Sequence, residues 1–504
     1  MKHGKQWAVR ILIAVTALTA GLGFCILTER VCRNKTSDER MRGLLESGTN
    51  EDILFVGNSQ IAAGVLPMEL WAHYGYTSYV LYATNNGIGR SKAMLELALD
   101  YTQPKLVFLS TDQYWKESSI ETQVSGYHEY ADAFPLSWTK IKTTVALYED
   151  RELQKEILFP FLTYHNRWKE LGEEDFDPAS FQEVTKGSTY CATIASVTLP
   201  EPIPKEDAAL PEGDSVALIE EFIQTCQSRG IQVVLLTLPF EIGEEQQRYF
   251  HGLAKVAEQY KVPYLNLTEN CEIVNPRTDF EDMTHLNVSG AKKMTEYLGT
   301  YIQDNYQIPV RLEEYGESWG SDYRSYCDYK NQMLRESDNL QEILLMCRDD
   351  SINCAVYVGG ASACFRDGKT MELLHNIGPL PGLDMAAESR QDYFFLLDYG
   401  AGQIFEWANP ARQEMETSLG TIRFCMDEDQ KPGLYTDGSE QNLFAHKGRA
   451  DVCIAVFDRW TGELICTRIF KTSRQLQAEG YEILWEEERK TGQGEQNQIM
   501  RRKQ

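Results

Sequence analysis

Short apolar runs without alternation recur from residue 52 onward, each followed by a stretch whose apolar positions return every three or four residues. DILFVG, TSYVLYA, KLVFLS, IQVVLLTLPF and VPYLNL read as strands buried on both faces. Between them LPMELWAHYG, SKAMLELALDY, DSVALIEEFIQTCQSRG and EEQQRYFHGLAKVAEQY carry helical spacing, with Pro67 suited to a first turn and Gly230 to a stop. VSGAKKMTEYLGTYIQDNY continues the alternation as a last helix. Strands interleaved with helices predict an α/β domain over 50–307, a parallel sheet with helices on both faces. Residues 113–213, polar and aromatic-rich with helical stretches such as PLSWTKIKTTVALYED, are expected to form a helical insertion in it.

After Pro309 the texture changes. ESWGSDYRSYCDYKNQ, within 308–334, reads as an aromatic link punctuated by Gly and Ser. A smaller α/β or α+β accessory domain is expected over 335–472, from NCAVYVGG, a helix around KTMELLHNIG, QDYFFLLDYG, AGQIFEW and TIRFCM. It ends in DVCIAVFDRWTGELICTRIF, a hairpin turning at Arg459–Gly462. The polar tail 475–504 is expected to be disordered. The accessory domain is expected to fold independently and to be dispensable for chemistry placed in the first.

Charge changes this picture at the N-terminus. The chain carries a formal charge of −26, yet its first 35 residues hold six basic side chains against Glu29 alone. Between Arg10 and Glu29 lie 18 uncharged residues, ILIAVTALTAGLGFCILT, close to the length of a bilayer span. A signal peptide would have a shorter apolar core and a small-residue cleavage site, whereas this segment ends in Phe24-Cys25-Ile26-Leu27. Residues 1–10 are therefore expected in the cytoplasm, 11–28 in the membrane as a single-pass anchor, and the bulk outside. An acidic chain without a basic cluster beyond the anchor excludes nucleic acid as a natural partner. The 12 cysteines contain no CxxC pair, so a zinc ribbon or thioredoxin-type redox chemistry has no support, and disulfide connectivity is not readable.

Candidate chemistry gathers where strands of a parallel sheet end. FVGNSQ puts Ser59 on the turn after the first strand, able to present its hydroxyl beside backbone N–H groups. ATNNGIG follows the second strand, with Asn86 and with Gly87 (or Gly89) letting the backbone approach a substrate. EDMTHLNVSG places Asp282 and His285 three apart before the last helix, so the carboxylate can orient the ring and the ring can take a proton from Ser59. Taken singly, Ser59 reads as a helix start, Gly87 as a turn and Asp282 as an N-cap. Their joint occurrence in one domain carries the signal. In the insertion, TYHNRWKEL reads either as a substrate contact through His165, Arg167 and Trp168 or as an amphipathic helix burying Trp168, and GEEDFDP as a solvated acidic face.

Gly57-Asn58-Ser59 and Asp282-Met283-Thr284-His285 resemble the first and last blocks of the SGNH (GDSL-like) hydrolase family, over about half the chain. The resemblance extends to its membrane-anchored branch tied to cell-envelope acylation. It implies a flavodoxin-like three-layer fold, with Ser59 as nucleophile, His285 as base and Asp282 as its orienting acid. The Ser59 and Gly87 amides would form the oxyanion hole, with Asp112 or Asn86 as a further oxyanion or substrate contact. Two positions depart from the family: Asn58 replaces the usual acid, and the third block reads Ser110-Thr111-Asp112-Gln113, without its Asn. A carboxylate there repels an oxyanion unless protonated or turned away. The region 335–470 bears a fainter resemblance to an interleukin-like, lectin-like fold, through VYVGG, DYFFLLDYG and VFDRWTGELICTRIF.

These readings lead to an extracytoplasmic O-acyl esterase or acyltransferase acting on envelope polysaccharide, with no metal or organic cofactor. The alternative is an impaired scaffold of the same fold that binds glycan or a membrane O-acyltransferase. Sequons occur at Asn34, Asn266 and Asn287, and a glycan two residues from His285 would conflict with catalysis, which favours a bacterial setting.

Overall fold

The structure is a computed structural model and describes residues 2–32, 35–115, 126–176, 183–269, 271–446 and 450–470. The tail expected from 475 and the sequon Asn34 lie outside the described residues. The chain divides into two compact units, Met1–Thr189 with Leu199–Glu272 and Met294–Gly320, and Tyr190–Thr198 with Ile273–Lys293 and Ser321–Gln504.

The first unit is built on five strands: β1 (Ile53–Gly57), β2 (Ser78–Tyr82), β3 (Leu106–Ser110), β4 (Gln232–Thr237) and β5 (Tyr264–Asn266). They pair in parallel in the order β2-β1-β3-β4-β5. That is the flavodoxin-like order, with its switch point between β1 and β3. Leu54, Val56, Tyr79, Leu81, Val107, Leu109, Val233 and Leu235 share one core cluster. Ile53, Phe55, Val80, Phe108, Val234 and Leu236, from the alternate positions, are equally sealed. Both faces being covered is why these strands read as unbroken apolar runs.

Among the described residues of the insertion between β3 and β4 are the short α-helices Tyr127–Ala131, Trp138–Leu147, Arg151–Leu158 and Phe161–Tyr164. A carboxylate stitches the sheet's lower edge to its last element. Asp52, fully buried, accepts from Arg311 Nε at 2.7 Å, Arg311 Nη2 at 3.1 Å and Lys105 Nζ at 2.5 Å. Ahead of the sheet runs a helix, Lys2–Cys32, in which the 20 residues Val9–Thr28 are predominantly apolar and long enough to span a membrane, and none of this stretch is buried.

The second unit is antiparallel, which corrects the α/β expectation for it to α+β. Strands β6 (Ile352–Val358), β7 (Tyr393–Asp398), β8 (Gln403–Ala408), β9 (Arg412–Thr417), β10 (Gly420–Met426), β11 (Pro432–Thr436), β12 (Val452–Asp458) and β13 (Leu464–Phe470) form two sheets. Their orders are β13-β12-β6-β7-β8 and β11-β10-β9. The hairpin read from DVCIAVFDRWTGELICTRIF is β12–β13. The stretch read as an aromatic link is instead part of a helix, Leu312–Glu336. None of the 12 cysteines is in a disulfide, and eight of them are buried. Burial pushes the Cys226 and Cys364 thiols up to about 12.

Candidate active site

Gly57 ends β1 where a Cβ would stand 2.3 Å from the Ser110 Cβ, so only glycine lets the ends of β1 and β3 close on each other. Asn58 follows in extended conformation and its side chain accepts from the Gln60 amide at 2.9 Å, capping a helix over Ser59–Gly64. Asn58 thus serves as an N-cap. Ser59 is the first residue of that helix and is half-buried.

On the other flank, Asn85 takes the left-handed conformation (φ 50°), while Gly87 is extended and caps the helix Ile88–Ala98. Asn86 Nδ2 donates to the Gly57 carbonyl and to Ser91 Oγ, each at 2.8 Å, so its amide hydrogens fasten the β1 end to this turn. Its buried Oδ1 has no partner among the described residues, and the group offers an acceptor rather than an oxyanion donor. Asp112 is fully buried just after β3. Its Oδ1 accepts from the Leu238 amide at 3.1 Å and its Oδ2 from the Ser110 hydroxyl, which turns the carboxylate onto β4.

Asp282 and His285 belong to the second unit, and here the spacing read from sequence produces a direct contact. His285 Nδ1 lies 2.9 Å from Asp282 Oδ2. Asp282 Oδ1 accepts from the Thr284 amide at 2.7 Å, the His285 amide at 2.9 Å and Thr284 Oγ1 at 2.9 Å. That oxygen is occupied in holding the loop. Burial alone would raise the Asp282 carboxyl, but these hydrogen bonds from the ring and the two amides outweigh it and hold the carboxyl below its ordinary value. With the Nδ1 hydrogen directed at the carboxylate, Nε2 is the ring nitrogen able to accept a proton.

Asn287 organises this loop, a role that sequence reasoning missed by treating it only as a sequon. It is fully buried, and its Nδ2 reaches the carbonyls of Thr278 at 2.8 Å, Thr193 at 3.1 Å and Phe280 at 3.2 Å. Its Oδ1 accepts from the Ser289 and Gly290 amides that open the helix Val288–Asn305. The one signal available was its place one residue before that helix, where Asn is a strong cap. Asn287→Ala should cost about 2–3 kcal/mol by leaving buried carbonyls unmet and removing the cap. Urea unfolding of the variant checks this.

The motif in the insertion departs from the reading that buries Trp168. Arg167 Nη1 pairs with the buried Asp175 at 2.7 Å, so the acidic run there is not wholly solvated. Trp168 is 62% exposed rather than packed inward.

No family model and no curated protein matches the chain. Among solved structures, the chain is similar to the crystal structure of "a putative acylhydrolase" from Bacteroides fragilis NCTC 9343, at 11% identity over 52% of this chain and 94% of that one, with a TM-score of 0.27.

Proposed function

We propose that this protein is a membrane-anchored, extracytoplasmic serine esterase or acyltransferase of the SGNH type, acting on O-acyl groups of envelope glycans. The observation that carries the reading is the Asp282–His285 pair, whose ring is oriented through Nδ1 at 2.9 Å by a carboxylate held ionised. A strand-end serine, Ser59, at the switch point of a flavodoxin-order sheet supports it.

In this reading Ser59 Oγ attacks the acyl carbonyl while its proton passes to His285 Nε2. The tetrahedral oxyanion is met by the Ser59 and Gly87 amides. Collapse breaks the ester C–O bond, the leaving sugar hydroxyl takes the proton from His285, and the acyl group stays on Ser59. Water, activated by the same imidazole, returns a free acid, or a second sugar hydroxyl returns a new ester. The substrate is thus an acylated envelope polymer, and a membrane O-acyltransferase is a fitting partner for the transfer reaction.

The competing reading, a binding scaffold without turnover, draws on Asp112, whose two oxygens are spent on Leu238 and Ser110 where the family carries an oxyanion donor. A fluorophosphonate probe separates the two. Peptide mapping should find the adduct on Ser59 in the folded full-length protein and not in the denatured one. Absence of any serine adduct would favour the scaffold. Protease added to intact cells should remove the bulk of the chain; protection until lysis would reverse the topology.

A further inference from the structure

The insertion and the N-terminal helix enclose an apolar cavity of about 660 Å³. Leu22, Cys25 and Ile26 of the helix line one side, and Phe134, Phe159 and Phe161 of the insertion line the other. Leu22 lies six residues before Thr28, the end of the apolar span. At 1.5 Å per residue the cavity therefore sits within about 9 Å of the span's end, at the depth of the outer acyl chains and headgroups.

The surface at that depth is unusual for one facing water. Leu136, Trp138, Phe159 and Leu162 are 50–78% exposed. On the helix Trp138–Leu147 the exposed Trp138, Lys142 and Val145 fall on one face at helical spacing. From Leu136 to Tyr148 there are two lysines and no acid, in a chain whose formal charge is −26. An exposed Trp, an aliphatic side chain and a lysine on one face of a short helix are the chemistry of a membrane interface.

The cavity also has a polar wall. Asp132 lines it and is 1% exposed, with Oδ2 meeting His128 Nδ1 at 2.8 Å and the Tyr164 hydroxyl at 2.5 Å. Its Oδ1 has no hydrogen-bond partner among the described residues. Arg42 and Lys140 line the same cavity. An apolar chamber with basic side chains in its wall suits one acyl chain of an anionic phospholipid.

We infer that the insertion is seated in the outer leaflet, where the span ends, and that this cavity holds an acyl chain of a bilayer phospholipid. The inference rests on the anchoring part of the proposed function and is independent of the ester chemistry. Full-length protein in vesicles of phosphatidylcholine and phosphatidylglycerol, containing phosphatidylglycerol with a diazirine on one acyl chain, tests it by irradiation and peptide mapping. Adducts are expected in Val9–Thr28, on the Trp138 face and on the cavity residues Phe159 and Phe161. The exposed-site double variant Trp138→Glu/Phe159→Glu should lower labelling of the insertion roughly tenfold and leave labelling of the span unchanged. Labelling confined to the span would overturn the inference while leaving the anchor intact. Labelling of the Trp138 face without the cavity walls would overturn the lipid occupant. An unlabelled span would remove the anchor itself, and the inference with it.

Discussion

If the proposed mechanism holds, Ser59→Ala should abolish acyl-enzyme formation and lower kcat for an acyl ester by roughly 10⁴–10⁶-fold, with the unfolding midpoint unchanged. The hydroxyl opens a short helix whose cap is supplied by Asn58, so its removal costs little packing. His285→Ala is nearly as severe, because a serine without a base is a poor nucleophile at neutral pH. Asp282→Asn costs less, on the order of 10²–10⁴-fold, since an amide can keep some of the loop's hydrogen bonds but not the charge that stabilises imidazolium. The three losses do not add, because the groups act as one unit.

The pH profile carries a second signature. Asp282 titrates below its ordinary value, so what it contributes to stability is complete above the unfolded aspartate value of about 3.9 and disappears only as pH falls through its lower folded value. Any loss of activity on acidification above that range should therefore leave the Asp282–His285 contact in place, and neutralisation should restore it. Acid inactivation that is irreversible, or that tracks unfolding, would count against the assignment. Asp112→Asn should keep activity or raise it, since Oδ1 can still accept from Leu238 while the new amide can donate to the Ser110 oxygen.

Ending the chain after residue 310 should destroy cooperative folding, contrary to the expectation that everything beyond the first domain is dispensable. The cut removes Arg311 from the buried Asp52, and breaking such a pair costs about 3–5 kcal/mol. It also removes Trp319, fully buried in the first unit, with Trp71 at 5.3 Å between ring centroids and the Lys186 ammonium 4.6 Å from its ring centre. Deleting a buried tryptophan costs about 3–5 kcal/mol more. Together these approach the total stability of an ordinary domain, about 5–15 kcal/mol. The loop with Asp282 and His285 loses its surroundings too, since Lys292 pairs with Asp350 at 2.9 Å and Arg277 with Glu372 at 2.7 Å within the second unit. Differential scanning calorimetry of the truncated chain should show no cooperative transition. Retention of a sharp transition and of serine-probe labelling would restore the two-domain expectation.

The first sheet was legible because its strands are covered on both faces, which leaves an unmistakable apolar run in each. The same property hid the strand direction in the second unit, where NCAVYVGG and DVCIAVFD are equally apolar but pair antiparallel. β9, RQEMET, carries too many charges to read as a strand and is identified by its pairing with β10. The helix across 312–336 was masked by Gly316 and Gly320, which read as breaks. A Cβ at either would meet nothing, so both lie on an open side, while Trp319, Tyr323, Tyr326 and Lys330 recur at helical spacing. At the site, the three-residue spacing of Asp282 and His285 was local and could be read. Asn287 acts through carbonyls of Thr193, Thr278 and Phe280, and the most distant of these depends on how the chain returns.

A set of cysteines outside any disulfide has a practical consequence. Alkylating reagents and oxidants attack thiolates, and the Cys226 and Cys364 thiols, held up to about 12, present almost none at neutral pH. With eight of the 12 cysteines buried, unfolding brings eight further thiols within reach of reagent at once. Timed iodoacetamide capture therefore turns the native chain into its own unfolding clock, with no dye or label added. It also implies that partially opened molecules in an oxidising compartment would be scavenged into mixed disulfides, so shelf life should depend more on the rate of opening than on equilibrium stability.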